Sequence, residues 1–130
     1  MKYTIYTVPT PLMRCHGRSV YNPQIEERIH IQQHLANQHG DKPIYTKPLY
    51  VDVAYNMPML QKHYKALNHK PHVSKPLLPD LEYALFSLCE GIIFKDMRQI
   101  ISVKSLKLYG KVPSIIIEVR EYEGEEIKKE

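Results

Sequence analysis

Three carboxylates in the second half of the chain have the types and spacing to bind a divalent cation. Asp80 and Glu82 stand two residues apart directly after Pro79, and Asp96 follows a turn a few residues beyond a glycine. Carboxylate oxygens are the ligands that Mg²⁺ prefers, and a bound ion can activate water or hold a scissile phosphate. The three come together only if the chain doubles back after the helix that is expected to start near Asp80.

Each of these residues also has an ordinary structural interpretation. Asp80 after a proline is a typical helix N-cap, and Asp96 is typical of a turn before a strand. The histidines are weaker candidates for a metal site. His30 and His34 are spaced to share one helix face, but zinc sites usually need a tighter set of ligands, often with cysteine.

Positive charge is concentrated ahead of these acids. No acid occurs between Asp52 and Asp80, and residues 1–117 hold 15 Lys and Arg against 8 Asp and Glu. A basic body favours a polyanionic partner such as DNA, although a solvated lysine-rich loop is the alternative. The candidate DNA-binding residues are Arg14, Arg18, Lys62, Lys65, Lys70 and Lys75.

Length and composition predict one domain over residues 1–119, followed by an acidic tail over 120–130. The chain has 130 residues, of which 43% are hydrophobic, and a net charge of +4, which suits a single domain with its own core. No apolar run approaches the roughly 20 residues of a membrane span, and no secretory segment opens the chain. Cys15 and Cys89 are interpreted as free thiols. We therefore expect a cytoplasmic protein with no membrane partner.

Hydrophobic alternation and chain-breaking residues predict an α+β fold, with a mixed β-sheet and two main helices in the order β-α-β-α-β-β. The expected strands are 2–8, 48–57, 99–108 and 113–119. The first helix is expected to begin at Asn22-Pro23, and the second to span residues 80–89. A short helical turn is expected around 60–67. The last two strands flank Gly110, which predicts a hairpin.

Several short motifs occur in an order and spacing that identify a family. They are a basic Gly-Arg loop before Tyr21-Asn22-Pro23, the run Gly91–Ile100, and Tyr109-Gly110 ahead of the last strand. Over residues 1–119 the chain resembles the RusA family of Holliday junction resolvases. The resemblance implies a homodimeric crossover junction endodeoxyribonuclease with a RusA-like fold, acting on branched or duplex DNA in recombination and repair. It also implies Mg²⁺ as the cofactor, with Mn²⁺ as a substitute.

The chain departs from the family at the residues that matter most for chemistry. The family signature is Lys-Pro followed by Asp-x-Asp-Asn-Leu, which opens a helix. Aligned without a gap, this chain has Leu77 and Pro79 at the two aspartate positions and Asp80 at the asparagine position. At the family's acidic corner, Asp96 matches the first acid, but Met97 replaces the second.

Two interpretations follow, and a third is kept beside them. A shift of about three residues, nearly one helical turn, would make Asp80 and Glu82 catalytic and metal-binding residues together with Asp96. Alternatively, the metal site is lost and the chain is a non-catalytic DNA-binding remnant of the fold. The third interpretation is a protein-interaction module whose basic patch meets an acidic partner.

Overall fold

A computed structural model describes residues 1–11 and 25–123 as a four-stranded mixed sheet with helices on one face. The elements are β1 (Lys2–Ile5), α1 (Ile25–His39), β2 (Leu49–Met57), α2 (Tyr64–Leu67), α3 (Leu78–Cys89), β3 (Ile100–Tyr109) and β4 (Ser114–Glu121). The predicted α+β fold and element order are confirmed, and α2 together with a preceding 3₁₀ turn is the short helix expected around 60–67. Arg14, Arg18, Cys15 and the predicted helix start at Asn22-Pro23 lie outside the described residues.

β2 is one of the two interior strands of the sheet, and its side chains alternate strictly between two environments. Leu49, Val51, Val53, Tyr55 and Met57 are all buried beneath the helices, while the residues between them are half-buried on the other face. Period-two burial is what a strand with one covered face requires. The sheet therefore has a helix side and an open side.

The strand order is β1-β4-β2-β3, which shows that the predicted hairpin is wrong. β3 pairs with β2 in parallel, and β4 pairs with the opposite side of β2 in antiparallel. β3 and β4 are therefore consecutive in sequence but separated in space by the whole of β2. The chain between them crosses over the carboxyl end of β2.

Gly110 is needed at this crossing because the two chain segments approach closely. Its N–H donates to the carbonyl of Met57 at 3.0 Å. A Cβ at position 110 would lie 2.9 Å from the Cβ of Asn56, closer than real Cβ atoms come. The glycine therefore marks a crossing of strands, not the tight turn of a hairpin.

Replacing Gly110 with Ala should lower the free energy of unfolding by about 1–3 kcal/mol, because either the crossing or Asn56 must shift to admit the methyl group. Urea denaturation followed by circular dichroism measures this change. Lys111→Ala, at an exposed neighbouring position, is the matched control and should change stability by no more than about 0.5 kcal/mol. Equal stability of Gly110→Ala and wild type would contradict the tight crossing.

The folded part of the chain extends past residue 119. β4 runs to Glu121, and the N–H of Tyr122 donates to the carbonyl of Pro48 at 2.8 Å. Cys89 is a free thiol, as expected, and burial raises its pKa to about 12. No helix within residues 1–11 and 25–123 is long and apolar enough to cross a membrane.

Candidate DNA interface and carboxylate site

A basic segment, residues 58–77, leaves the carboxyl end of β2 and returns along the outer side of β3. In its second half the N–H of His72 donates to the carbonyl of Lys107 at 2.9 Å, and the carbonyl of Lys70 accepts from the N–H of Tyr109 at 2.9 Å. These bonds hold the basic segment at the end of the sheet where β2 and β3 finish.

The four lysines predicted to bind DNA in this segment are all exposed. They are Lys62, Lys65, Lys70 and Lys75. Within the part of the chain that the structure describes, none of them lies within ion-pair distance of an acid. Uncompensated ammonium groups at one end of the sheet create a positive surface of the kind that attracts phosphates.

Two further lysines at this end have different roles. Lys107 holds the basic segment against β3, since its Nζ donates to the carbonyls of Ser74 and Pro76, both at 2.6 Å. Lys111 is exposed, with its Nζ 5.8 Å from the centroid of the Tyr64 ring. Lys111 was not among the predicted DNA-binding residues, because it follows β3 and does not lie in the acid-free run.

His72 is a packing residue of the basic segment and not a phosphate-facing cation. Its ring centroid lies 4.8 Å from that of Tyr109. Burial, together with the charge of nearby Lys107, lowers the pKa of His72. The lowered pKa favours the neutral imidazole, so lysine is the main source of positive charge on this surface.

Asp80 and Glu82 lie in the first turns of α3, at the same end of the sheet as the basic segment. Leu77 occupies the N-cap position, and no side chain caps the helix. Asp80 is therefore not the N-cap that the sequence suggested, but an exposed acid in the first turn, where the helix dipole favours negative charge. Glu82 is half-buried.

Asp96 opens the 3₁₀ turn Met97–Gln99 that leads into β3. Its Oδ1 accepts from the N–H of Arg98 at 2.8 Å, and the side-chain oxygen of Gln99 accepts from the N–H of Asp96 at 2.7 Å, which together form a capping box. The Arg98 guanidinium also lies 3.0 Å from Asp96 Oδ2. Asp96 thus has the turn-forming role that was one of its two predicted interpretations.

Arg98 also controls the charge of this corner. Its hydrogen bonds hold the pKa of Asp96 below the usual range for aspartate, so the carboxylate stays ionised to lower pH than a free one. Stability from this pair is present above the ordinary aspartate pKa and is lost as the pH falls through the lowered value. The side chain of Asp96 is 39% exposed, so solvent screens the pair and limits its effect on stability.

Two other residues fix this corner, and neither was among the predicted site residues. A carboxylate oxygen of Glu90 accepts from the N–H of Met97 at 2.9 Å. The side-chain nitrogen of Gln99 donates to the carbonyls of Tyr45 and Lys47 at 2.9 and 3.0 Å. The glutamine at the end of the corner motif therefore ties the entry of β3 to the entry of β2.

The predicted acids lie at opposite ends of the sheet. Asp80 and Glu82 adjoin the basic segment at the carboxyl ends of β2 and β3, whereas Asp96 precedes the amino end of β3. From Asp80 to the end of α3 the helix axis rises about 14 Å at ~1.5 Å per residue, and the chain does not return. The doubling back that would unite the three acids does not occur within one chain.

No three His, Cys, Asp or Glu in residues 1–11 and 25–123 lie close enough together to hold a metal ion. One copy therefore does not assemble a cation site from Asp80, Glu82 and Asp96. His30 and His34 do share a helix face, with their Nε2 atoms 3.2 Å apart. They form an exposed pair without a third ligand among the described residues.

The structure defines an α+β domain whose sheet is covered by helices on one face. One end of the sheet is rich in exposed lysines, and the other carries a capped acidic corner. The family model of endodeoxyribonuclease RusA matches residues 11–120. The chain belongs to the RusA endodeoxyribonuclease family, as its motifs indicated. It is also similar to the uncharacterized protein YqaN of Bacillus subtilis (strain 168), with 26% identity across 93% of this chain and 96% of that protein.

Proposed function

We propose that this chain is a RusA-type endodeoxyribonuclease that binds branched DNA through its basic segment and cleaves it in recombination and repair. The observation that carries the proposal is the group of exposed lysines beside the start of α3, none of which forms an ion pair with a residue that the structure describes. Lysine contacts to phosphates supply most of the affinity for DNA and set the register of the protein on the duplex. A homodimer would present two such surfaces, which suits the symmetry of a four-way junction.

A divalent cation, Mg²⁺ or Mn²⁺, is the cofactor that family membership implies. Such ions need several oxygen ligands around one point. The carboxylates Asp80, Glu82 and Asp96 of a single copy do not meet this requirement. The described residues of one chain therefore do not supply the set of ligands that such an ion needs.

A non-catalytic DNA-binding protein is the second candidate. It is favoured by Leu77 and Pro79, which stand where the family has metal-binding aspartates, and by the engagement of the Asp96 carboxylate with Arg98. Binding to DNA would survive these changes because it depends on phosphates and shape. The two candidates differ in one result, the cleavage of a junction.

We expect the full chain to bind an end-labelled synthetic four-way junction in EDTA and to nick it when Mg²⁺ or Mn²⁺ is added. Asp96→Asn should lower the cleavage rate by about 100-fold or more, because Asp96 is the acid that stands in register with the family's acidic corner and a charged oxygen is what a catalytic cation needs there. Binding should persist, since asparagine is as good an N-cap as aspartate. Denaturing gels measure nicking, and fluorescence anisotropy measures binding.

Asp52→Asn is the matched control, because Asp52 lies on the open side of the sheet opposite Glu118. This variant should cleave and bind as wild type does. Tight binding to the junction with no nicking in either metal would overturn the enzymatic proposal and support the non-catalytic one. No salt-sensitive binding to any nucleic acid would overturn both.

A further inference from the structure

Two histidines on the exposed face of α1 direct the same ring nitrogen towards one point. His30 and His34 are both exposed and lie about one helical turn apart. Their Nε2 atoms are separated by 3.2 Å. The two rings are nearly perpendicular, with centroids 4.6 Å apart and an angle of 88° between their planes. Residues at this spacing are neighbours on a helix, and here the ring nitrogens themselves converge.

The separation of the two nitrogens matches that of two imidazoles bound to one metal ion. Zinc–nitrogen bonds are about 2.05 Å long, so two of them at a tetrahedral angle span about 3.3 Å. Two bonds of this length at a right angle, as in square-planar Cu²⁺ and Ni²⁺ sites, span about 2.9 Å. The observed 3.2 Å lies between these values. An ion therefore fits between the nitrogens without a change in the helix or a large movement of either ring.

The pair is not required for the packing of the protein. Neither His30 nor His34 belongs to the hydrophobic core. A hydrogen bond between two exposed rings contributes little to stability, because each ring can bond to water instead. Replacing either residue with Ala should therefore leave the fold intact, so substitutions at these positions report on binding and not on folding.

We propose that His30 and His34 bind one divalent transition-metal ion, of the group Zn²⁺, Ni²⁺ and Cu²⁺, through their two Nε2 atoms. Imidazole nitrogen suits these ions, whereas Mg²⁺ prefers oxygen ligands. The site therefore differs in its ion from the one that cleavage of DNA would need. The inference does not depend on the proposed function, because it uses only the geometry of α1.

The other charged residues of α1 favour a cation at this site. Glu26 is exposed in the first turn and stands one turn before His30 on the same face of the helix. Its negative charge attracts a cation. Arg28 is the only lysine or arginine of α1, and it extends towards α3, where its guanidinium donates to Ser87 Oγ at 3.3 Å. An acid therefore precedes the pair, while the positive charge is directed to another element.

Water completes the coordination of the ion. Within residues 1–11 and 25–123, no third His, Cys, Asp or Glu lies close enough to the pair to share an ion with it. Zinc usually has four ligands, so two positions remain for water on the exposed side of α1. A site with two protein ligands should bind an ion more weakly than a closed site with four, and a chelator should remove the ion.

Ion binding changes the nitrogen on which one ring carries its proton. In a hydrogen bond between the two rings, one Nε2 donates its proton and the other accepts. Coordination needs a lone pair on both Nε2 atoms, so the donating ring must carry its proton on Nδ1 instead. For two neutral rings no proton is released overall. NMR spectra of the ring nitrogens should therefore show both Nδ1 atoms protonated at saturating Zn²⁺, and a proton retained on either Nε2 would contradict chelation.

Calorimetric titration of the full chain with Zn²⁺, without a histidine tag, tests the site. We expect one ion per chain at the tightest site, bound about tenfold or more weakly by His34→Ala, because one of its two bonds to protein is lost. Gln33→Ala, at an exposed neighbouring position of α1, is the matched control and should bind as wild type does. The proposal is overturned by a wild type that binds no zinc, by equal affinities of wild type and His34→Ala, or by one ion for two chains.

Exchanging two side chains tests the spacing at constant composition. The double variant His34→Gln/Gln37→His keeps all seven histidines but moves one of them two helical turns from His30. The helix rises about 10 Å over that distance, so the two rings are no longer neighbours. This variant should lose as much zinc affinity as His34→Ala does. Wild-type affinity would show that the number of histidines, and not their geometry, determines binding, and the proposed site would then be wrong.

Two further measurements test the class of ion and its place on the folded chain. Mg²⁺ in about 100-fold excess should not displace Zn²⁺, because the site offers nitrogen and not oxygen ligands. Zn²⁺ should also raise the midpoint of thermal unfolding of wild type, since an ion that binds the folded helix stabilises it, and should raise that of the double variant less. Displacement by Mg²⁺, or equal rises in the two proteins, would contradict binding by this pair.

Discussion

A chain with Lys62, Lys65, Lys70 and Lys75 all changed to Gln should bind a four-way junction about 100- to 1,000-fold more weakly than wild type near physiological salt. Each lysine that contacts a phosphate displaces a condensed counterion. Loss of all four contacts should therefore flatten the slope of log affinity against log salt by about 3 to 4. Fluorescence anisotropy at several salt concentrations measures both quantities. The fold should be retained, since all four side chains are exposed and make no ion pair with a described residue.

The matched control removes the same charge from the other end of the sheet. Lys2, Lys42, Lys47 and Arg120 are exposed there, and changing all four to Gln alters the net charge equally. This variant should lose less than about tenfold in affinity and keep most of the salt slope, because distant charges are screened beyond roughly 10 Å. Equal losses of affinity in the two variants would show that DNA binding depends on the net charge of the protein and would contradict a binding surface on the basic segment.

The strands and helices of this protein could be predicted from sequence because their signals are local. β2 has a large apolar or aromatic residue at every second position, and this period of two is typical of a strand with one covered face. The hairpin prediction failed because a glycine such as Gly110 indicates a close approach of the backbone but does not indicate which segment it approaches. The contact of Gly110 with Asn56 is set by sheet order, which depends on residues far apart in sequence.

The candidate site shows the same limit more sharply. The corner motif helped to predict the family, which the match of the family model confirms. Its local geometry could also be predicted, because Asp96 and Gln99 are spaced to form a capping box within a few residues. The spacing between Asp80 and Asp96 carries no comparable information, since it depends on the direction of α3. The helix carries the chain to the far end of the sheet. The family resemblance could name candidate acids but could not bring them together.

Replacing Phe94 with Ala should lower the free energy of unfolding by about 3–5 kcal/mol, the usual effect of removing a buried aromatic ring. Phe94 is 1% exposed and belongs to the hydrophobic core. Its carbonyl accepts from the N–H of Gly91 at 2.8 Å, and its backbone bridges to Tyr45. The ring therefore anchors the corner motif to the sheet. Urea denaturation measures the change. An equal slope of unfolding free energy against urea concentration in the variant and the wild type shows that the two proteins unfold in the same way.

Leu60→Ala is the control, because Leu60 is 62% exposed and its truncation should change stability by no more than about 0.5 kcal/mol. A loss of less than about 1 kcal/mol in the free energy of unfolding of Phe94→Ala would contradict the anchoring role, since removal of even one methylene lowers the stability of a well-packed core. The loss of the Phe94 ring is also expected to affect cleavage, because Asp96 lies two residues further along the chain. A looser corner should reduce junction cleavage. The affinity for DNA should stay near its wild-type value, because we propose that it depends on the lysines at the other end of the sheet. Equal losses of affinity and cleavage in folded Phe94→Ala would instead place the corner within the DNA-binding surface.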